Sequence, residues 1–326
     1  MWCASRPAPW LVSRPYVAGP GYRCGVPQTT GPDGHLSRDG ASRAVALALA
    51  VLAGAAVVAV WWFFVTTATG QHVDEVAFEG ATIGRWRLAE SAQSVLDVVS
   101  VPFLVLVILV GVLVAVLRRR WLLAVAVGVM VGAANVTTQL LKYGLFTRPE
   151  LGVSEIETNS LPSGHTTVAA SVAAAAILVA PPRWRWLAAL LGALYTGATG
   201  VATMVGGWHR ASDVVAGVLV VTAWLLLAQA VVGTGGGARR GGARADAAAA
   251  TGRAARTTRL TVHLLAIVGV GAGLVALLSM LVISQADGES RTELLLAYGG
   301  ASVGVVGVTC LAVLAPLVLG TRELRR

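Results

Sequence analysis

Long apolar stretches alternate with short polar or Arg-rich ones along most of the chain. Eight of them approach or exceed the ~18 residues a helix needs to cross a hydrocarbon layer. They run over 44–66, 95–117, 121–141, 166–181, 187–205, 212–233, 260–284 and 294–319. The fourth is short for a span and borrows residues at either end. The pattern predicts an all-α, polytopic membrane bundle: a six-helix body over 44–233 and a two-helix C-terminal hairpin with a short basic tail over 260–326.

The intervening segments have their own character. Residues 1–43 are rich in Pro, Gly and Arg without apolar periodicity and read as a disordered cytoplasmic tail. Segment 67–94 carries Asp74, Glu75, Glu79 and Glu90 and reads as an outer loop with a helix lying along the membrane interface. Residues 234–259 are Gly/Ala/Arg-rich and read as a flexible cytoplasmic linker. In the hairpin, Gly269/Gly273 and Gly300/Gly304 repeat small residues at four-residue spacing, which permits close helix approach. Asn135 and Gln139, four apart in the third span, are expected to hydrogen-bond between helices.

Composition agrees: 56% of the residues are hydrophobic and 13% charged, with a mean hydropathy of +0.73. The net charge of +9 reports topology rather than nucleic-acid binding. With the termini placed in the cytoplasm, 19 of the 25 basic residues fall on inner segments, the bias that orients membrane proteins. Three cysteines give no disulfide framework.

Among 25 basic residues there is one lysine, Lys142. It opens Lys142-Tyr-Gly-Leu-Phe-Thr-Arg148-Pro149; Pro162-Ser163-Gly164-His165 follows, and His209-Arg210-Ala-Ser-Asp213 comes later. An even number of spans separates the two loops, so both emerge on one membrane face. Ionisable groups gathered at a membrane boundary are costly unless they serve a purpose. Phosphoryl transfer suits them. Lys142 and Arg148 supply positive charge, while Ser163 and the Gly164 backbone supply donors at a helix N-terminus, which favours anions. A carboxylate at Asp213 can hold one nitrogen of His209 and leave the other to attack. His165 can protonate the departing alkoxide.

These residues resemble the type 2 phosphatidic acid phosphatase superfamily of membrane lipid phosphatases, whose motifs are Lys-x6-Arg-Pro, Pro-Ser-Gly-His and Ser-Arg-x5-His-x3-Asp. The resemblance covers about residues 95–233. It implies that His209 is the nucleophile forming a phosphohistidine and Asp213 its orienter. It further implies that His165 is the general acid, that Lys142, Arg148, Ser163 and Gly164 hold the phosphate, and that no metal or other cofactor takes part. There are two departures. Five residues rather than six separate Lys142 from Arg148, and Ala202-Thr203 stand where the family has Ser-Arg. Arg210 is the candidate substitute for that arginine, although a helical neighbour of His209 points about 100° away from it.

The expected function is therefore metal-independent hydrolysis of a lipid phosphate monoester or pyrophosphate at the extracytoplasmic face of the plasma membrane. Phosphatidic acid, phosphatidylglycerophosphate and polyprenyl pyrophosphate all fit, and a phosphotransferase shares the first half-reaction. The partners expected are the lipid phosphate and membrane lipids, not nucleic acid. The competing class is non-enzymatic: a degenerate member that binds lipid phosphate or acts as a scaffold or transporter. A polar cluster at one edge of the spans, rather than at mid-membrane, favours surface chemistry over transport.

Overall fold

The computed structural model describes residues 33–98, 105–106, 109–111, 113, 116–117, 119–153, 158–233 and 245–321. Among them the chain is helical and has no strand. The α-helices are α1 (Asp33–Thr66), α2 (Ala68–Gly80), α3 (Arg85–Val98), α4 (Trp121–Leu140), α5 (Gly164–Val179), α6 (Arg185–Val205), α7 (Ala211–Val232), α8 (Ala245–Ile283) and α9 (Arg291–Thr321). A π turn (Leu141–Leu145) follows α4, and a 3-10 turn (Pro182–Trp184) precedes α6. Among the described residues, six helices are long and apolar enough to cross a membrane: those containing 40–66, 121–145, 182–205, 211–232, 255–283 and 291–320. The expected span at 95–117 lies mostly outside the described residues. The fourth expected span is α5, 16 residues long and below the span threshold, as its short apolar run foretold.

Helix α7 is the axis of the bundle. It is apolar round its whole circumference, which suits a helix covered on every side. Helices α1, α4, α5 and α9 all pack on it. Val57 and Val65 of α1, Met130 and Ala134 of α4, Ala170 and Ala174 of α5, and Ala216 and Val220 of α7 share one core. Alanine lines α5, so its neighbours approach closely. At Gly217 of α7, a Cβ would stand 2.9 Å from the Ser163 carbonyl oxygen and 3.1 Å from Thr167 Oγ1. Only glycine lets the start of α5 lie this near α7. Polar ties cross the bundle too: Thr138 with Thr167 at 3.0 Å, Trp224 Nε1 donating to Thr137 Oγ1 at 3.1 Å, and Asn135 Nδ2 donating to Ser171 Oγ at 3.3 Å. Gln139, expected to do the same, is exposed.

Three expectations are corrected. Helix α1 begins at Asp33, so the expected tail is helical from there; residues 1–32 lie outside the described residues. Helix α8 begins at Ala245, so much of the expected linker is helical. Its Ala/Arg composition is that of the best helix formers, and propensity wins over the Gly-rich start. The third correction concerns 67–94. Thr67 breaks the helix, its hydroxyl accepting from Gly70 N at 3.1 Å, and α2 turns inward rather than lying along an interface. It buries Val73, Val76 and Ala77 against Ile283 and Ala297 of the hairpin, and His72 Nε2 lies 2.9 Å from the Ala286 carbonyl.

The hairpin is part of the bundle. Val305 of α9 packs with Met204 and Val214, and Leu265, Cys310 and Leu317 pack with Ile177 and Ala189. Gly269, Gly300 and Gly304 meet the opposing helix closely; Gly273 presents open space where a Cβ would go.

Gly217→Ala should push α5 off α7 and cost roughly 1–3 kcal/mol by overpacking. Gly54→Ala on α1, where nothing lies within 4 Å, should be neutral or slightly stabilising. Thermal unfolding midpoints of the two variants in detergent check this; equal midpoints would contradict the close contact.

Candidate active site

Three short segments meet at one end of the bundle: the π turn and loop 142–149, the turn 159–165, and the loop 206–210 leading into α7. His209 lies two residues before α7 begins, and Asp213 lies in its first turn. His209 Nδ1 is 3.0 Å from Asp213 Oδ2, and both side chains are buried. The same Oδ2 accepts from Ser160 Oγ at 2.7 Å and from the Arg210 backbone N–H at 3.0 Å. This last bond is a capping contact, in which a carboxylate three residues into a helix reaches back to the cap N–H. With Nδ1–H donated to the carboxylate, Nε2 is the nitrogen left with a lone pair.

The start of α5 is docked onto this pair. Ser163 N–H donates to the Asp213 carbonyl at 2.8 Å. The Ser163 hydroxyl caps α5, accepting from Thr166 N at 3.4 Å and from the Thr166 hydroxyl at 3.1 Å. Gly164 has open space around its Cα, and the first-turn N–H groups of a helix have no i−4 carbonyl to bond. The His165 ring follows, with its centroid 6.4 Å from that of His209 and 5.2 Å from that of Trp208. A single phosphoryl group can bridge that gap.

The cationic loop is held from two sides. Phe146 stacks on Trp61 with centroids 4.7 Å apart, and Trp61 Nε1 donates to the Thr147 carbonyl at 3.2 Å. Gln71 Nε2 donates to the Val65 and Pro149 carbonyls at 2.7 and 3.1 Å. Asn159 Nδ2 bridges the carbonyls of Lys142 and Leu161 at 3.2 and 2.9 Å, tying the lysine's turn to the serine's. Lys142 therefore sits in a π turn, a form that concentrates at functional sites. Lys142 and His209 both lie within electrostatic reach of His165. Arg148 lies near Arg210, Asp74, Glu75 and Asp213. Burial and the Arg210 guanidinium push it below its usual value, against the pull of the three carboxylates. Its Nη2 is buried without a hydrogen-bond partner among the described residues.

The sequence reading missed what α2 contributes. Glu75 Oε2 accepts from Arg210 Nε at 3.0 Å and Nη2 at 2.6 Å, and the guanidinium lies 5.2 Å over the Phe78 ring. The candidate phosphate ligand Arg210 thus commits two nitrogens to a carboxylate. The reason is local: Arg210 caps α7 in an extended conformation (φ −78°, ψ 164°) that turns its side chain toward α2. Beside it, Asp74 accepts from Ser212 N at 3.3 Å and from the Ser212 hydroxyl. Burial, with the Asp213 carboxylate adding to it, pushes Asp74 up to about 7, while Ser212 and Arg210 pull the other way. Ser160 was missed as well. The available signals were adjacent acids, Asp74-Glu75, in a segment otherwise rich in small and apolar residues, and a serine two before the Pro-Ser-Gly-His turn.

All the residues proposed from sequence lie in one stretch of chain. Residues 123–235 match the family model described as PAP2 superfamily, the superfamily that the motifs resemble, and the match supports a phosphatase-type fold for this stretch. No curated protein matches the chain, and no solved structure does.

Asp74 sets a pH test. Its folded value of about 7 stands above the ordinary 3.8, so between these values the native state holds a proton that the unfolded chain has released. Stability attributable to Asp74 is intact below pH ~4, falls as pH rises toward ~7, and is flat above, by on the order of 4 kcal/mol in all. Wild type should therefore lose thermal stability relative to Asp74→Asn across that window. Parallel pH profiles for the two proteins would contradict it.

Proposed function

We propose that the protein is an integral-membrane lipid phosphatase that works through a phosphohistidine. The observation that carries this reading is the facing pair of imidazoles: His209 tied through Nδ1 to Asp213, and His165 opposite at 6.4 Å. In the first step His209 Nε2 attacks phosphorus and the bond from phosphorus to the lipid oxygen breaks, His165 giving its proton to that oxygen. In the second, His165 takes a proton from water, the oxygen attacks phosphorus, the P–N bond breaks and inorganic phosphate leaves. Asp213 stabilises the imidazolium character that His209 gains on attack. Lys142, Arg148 and the first N–H groups of α5 hold the non-bridging oxygens, where charge builds. The cations of the chain supply the positive charge, so the reading requires no metal.

A lipid substrate suits the surroundings. Tyr143, Leu145 and Trp208 are large, exposed and adjacent to the polar cluster, as expected where a site opens at headgroup level. Phosphatidic acid, phosphatidylglycerophosphate and polyprenyl pyrophosphate each present a terminal phosphoryl group on an apolar tail. The arginine distribution supports cytoplasmic termini and a site on the outer face, and the plasma membrane is the location we propose.

Purified protein should release phosphate from phosphatidic acid or a polyprenyl pyrophosphate with chelator present. His165→Ala should reduce the rate roughly 10²–10⁴-fold, and His209→Ala should reduce it to background. Brief incubation with radiolabelled substrate and an alkaline quench should leave label on wild type and none on His209→Ala. Release that is equal in all three proteins would show another enzyme at work.

The orientation has its own test. A membrane-impermeant thiol reagent should label Tyr143→Cys in intact cells; labelling only after lysis would put the site on the other face.

A further inference from the structure

A third arginine, Arg85, reaches the site, this one from outside the matched stretch. Arg85 opens α3, which packs on α6 through Ala92 and Leu96 against Ala202 and Val205. Its guanidinium lies on Gly207, two residues before His209. A Cβ on that glycine would stand 2.7 Å from Nη2 and 3.0 Å from both Cζ and Nη1. Gly207 also has φ +72°, so backbone and neighbour both require glycine there. The loop is taut: Trp208 N and His209 N both donate to the Thr203 carbonyl, at 3.0 and 3.3 Å. The guanidinium therefore rests on the backbone that fixes the position of His209.

What sets Arg85 apart is what it lacks. Nε and Nη2 are both buried without a hydrogen-bond partner among the described residues. A guanidinium cannot shed its charge, and buried donors left unpaired are costly. Arg210 meets the same need with Glu75; among the described residues no carboxylate pairs with Arg85. Arg148 has a buried Nη2 without a partner among the described residues as well. Both side chains are set up for an anion that arrives from elsewhere. Thr203, where an arginine would complete the third motif, is fully buried, and its hydroxyl donates to the Gly200 carbonyl at 2.7 Å. No charge comes from that position.

We propose that Arg85 binds the substrate phosphate, supplying from α3 the guanidinium that α6 lacks. The inference rests on the phosphatase reading above. A planar fork of donors fits two oxygens of one phosphoryl group, which an ammonium cannot match. The ligand class is a phosphoryl oxyanion at the loop that carries His209, shared with Lys142 and Arg148.

The test uses the full chain in detergent with phosphatidic acid as substrate and orthovanadate as probe. Arg85→Ala should lower kcat/KM about 10²–10³-fold, the loss typical of one preorganised donor, and weaken vanadate inhibition in parallel. Arg87→Ala, whose exposed guanidinium lies 4.5 Å over Trp86, should match wild type. Because the buried charge is unpaired, Arg85→Ala should melt at or above the wild-type temperature, and added guanidinium ion should restore part of its activity. An Arg85→Ala protein with wild-type kcat/KM and vanadate inhibition overturns the proposal. So does one that loses thermal stability, keeps vanadate inhibition and is not rescued, since that marks a structural role. Wild type that neither releases phosphate nor is stabilised by vanadate sinks the phosphatase reading, and this one with it.

Discussion

The site is organised around one carboxylate. Asp213 orients His209, accepts the Ser160 hydroxyl and caps its own helix through Arg210 N–H, all with Oδ2. Its backbone carbonyl accepts Ser163 N–H, which sets the start of α5 and so the position of His165. The two imidazoles thus sit on different helices yet are referenced to the same residue. Such a residue has to be immobile, and α7, covered on every side, makes it so. Gly217, one turn further on, removes the atoms that would otherwise hold the two helices apart.

Around that carboxylate the charges alternate. Arg148, Arg210, Asp74 and Glu75 lie close together beside Asp213, with α2 supplying two of the acids. Arginines gathered this closely would repel one another without acids between them. Glu75 takes up Arg210, and Asp74 is the member that burial keeps partly protonated near neutrality. The ion pair has to be well made, because a charge at this depth left without its partner costs several kcal/mol.

Much of this was legible in the chain. Apolar length gave α1, α4, α6, α7, α8 and α9, because burying a long apolar helix in lipid needs no information from elsewhere. The motif spacings gave Lys142, Arg148, His165, His209 and Asp213, because each lies in a short segment whose chemistry is local. The contribution of α2 was not legible: Asp74 and Glu75 look like solvated loop charges until Ser212 and Arg210 are found opposite, and those contacts span more than 130 residues of chain. Arg210 illustrates the same limit. Its proximity to His209 in sequence suggested a shared ligand, but a cap residue is not helical, and its side chain left in another direction. The helical starts of α1 and α8 were hidden by flanking Gly and Pro, whose local signal outweighed Ala and Arg in the composition.

The packing of α9 across α2, α6 and α7 reaches beyond the matched stretch. The stretch that matches the family model, 123–235, is smaller than the bundle it packs into. Its first helical turn after His209 depends on acids that precede it and on a hairpin that follows it. Grafted into a foreign bundle, that stretch would carry its signature intact and arrive with Arg210 deprived of its counter-ion and one flank of α7 bare to lipid. The acids of α2 and the hairpin, both outside the matched stretch, thus hold the residues inside it in place.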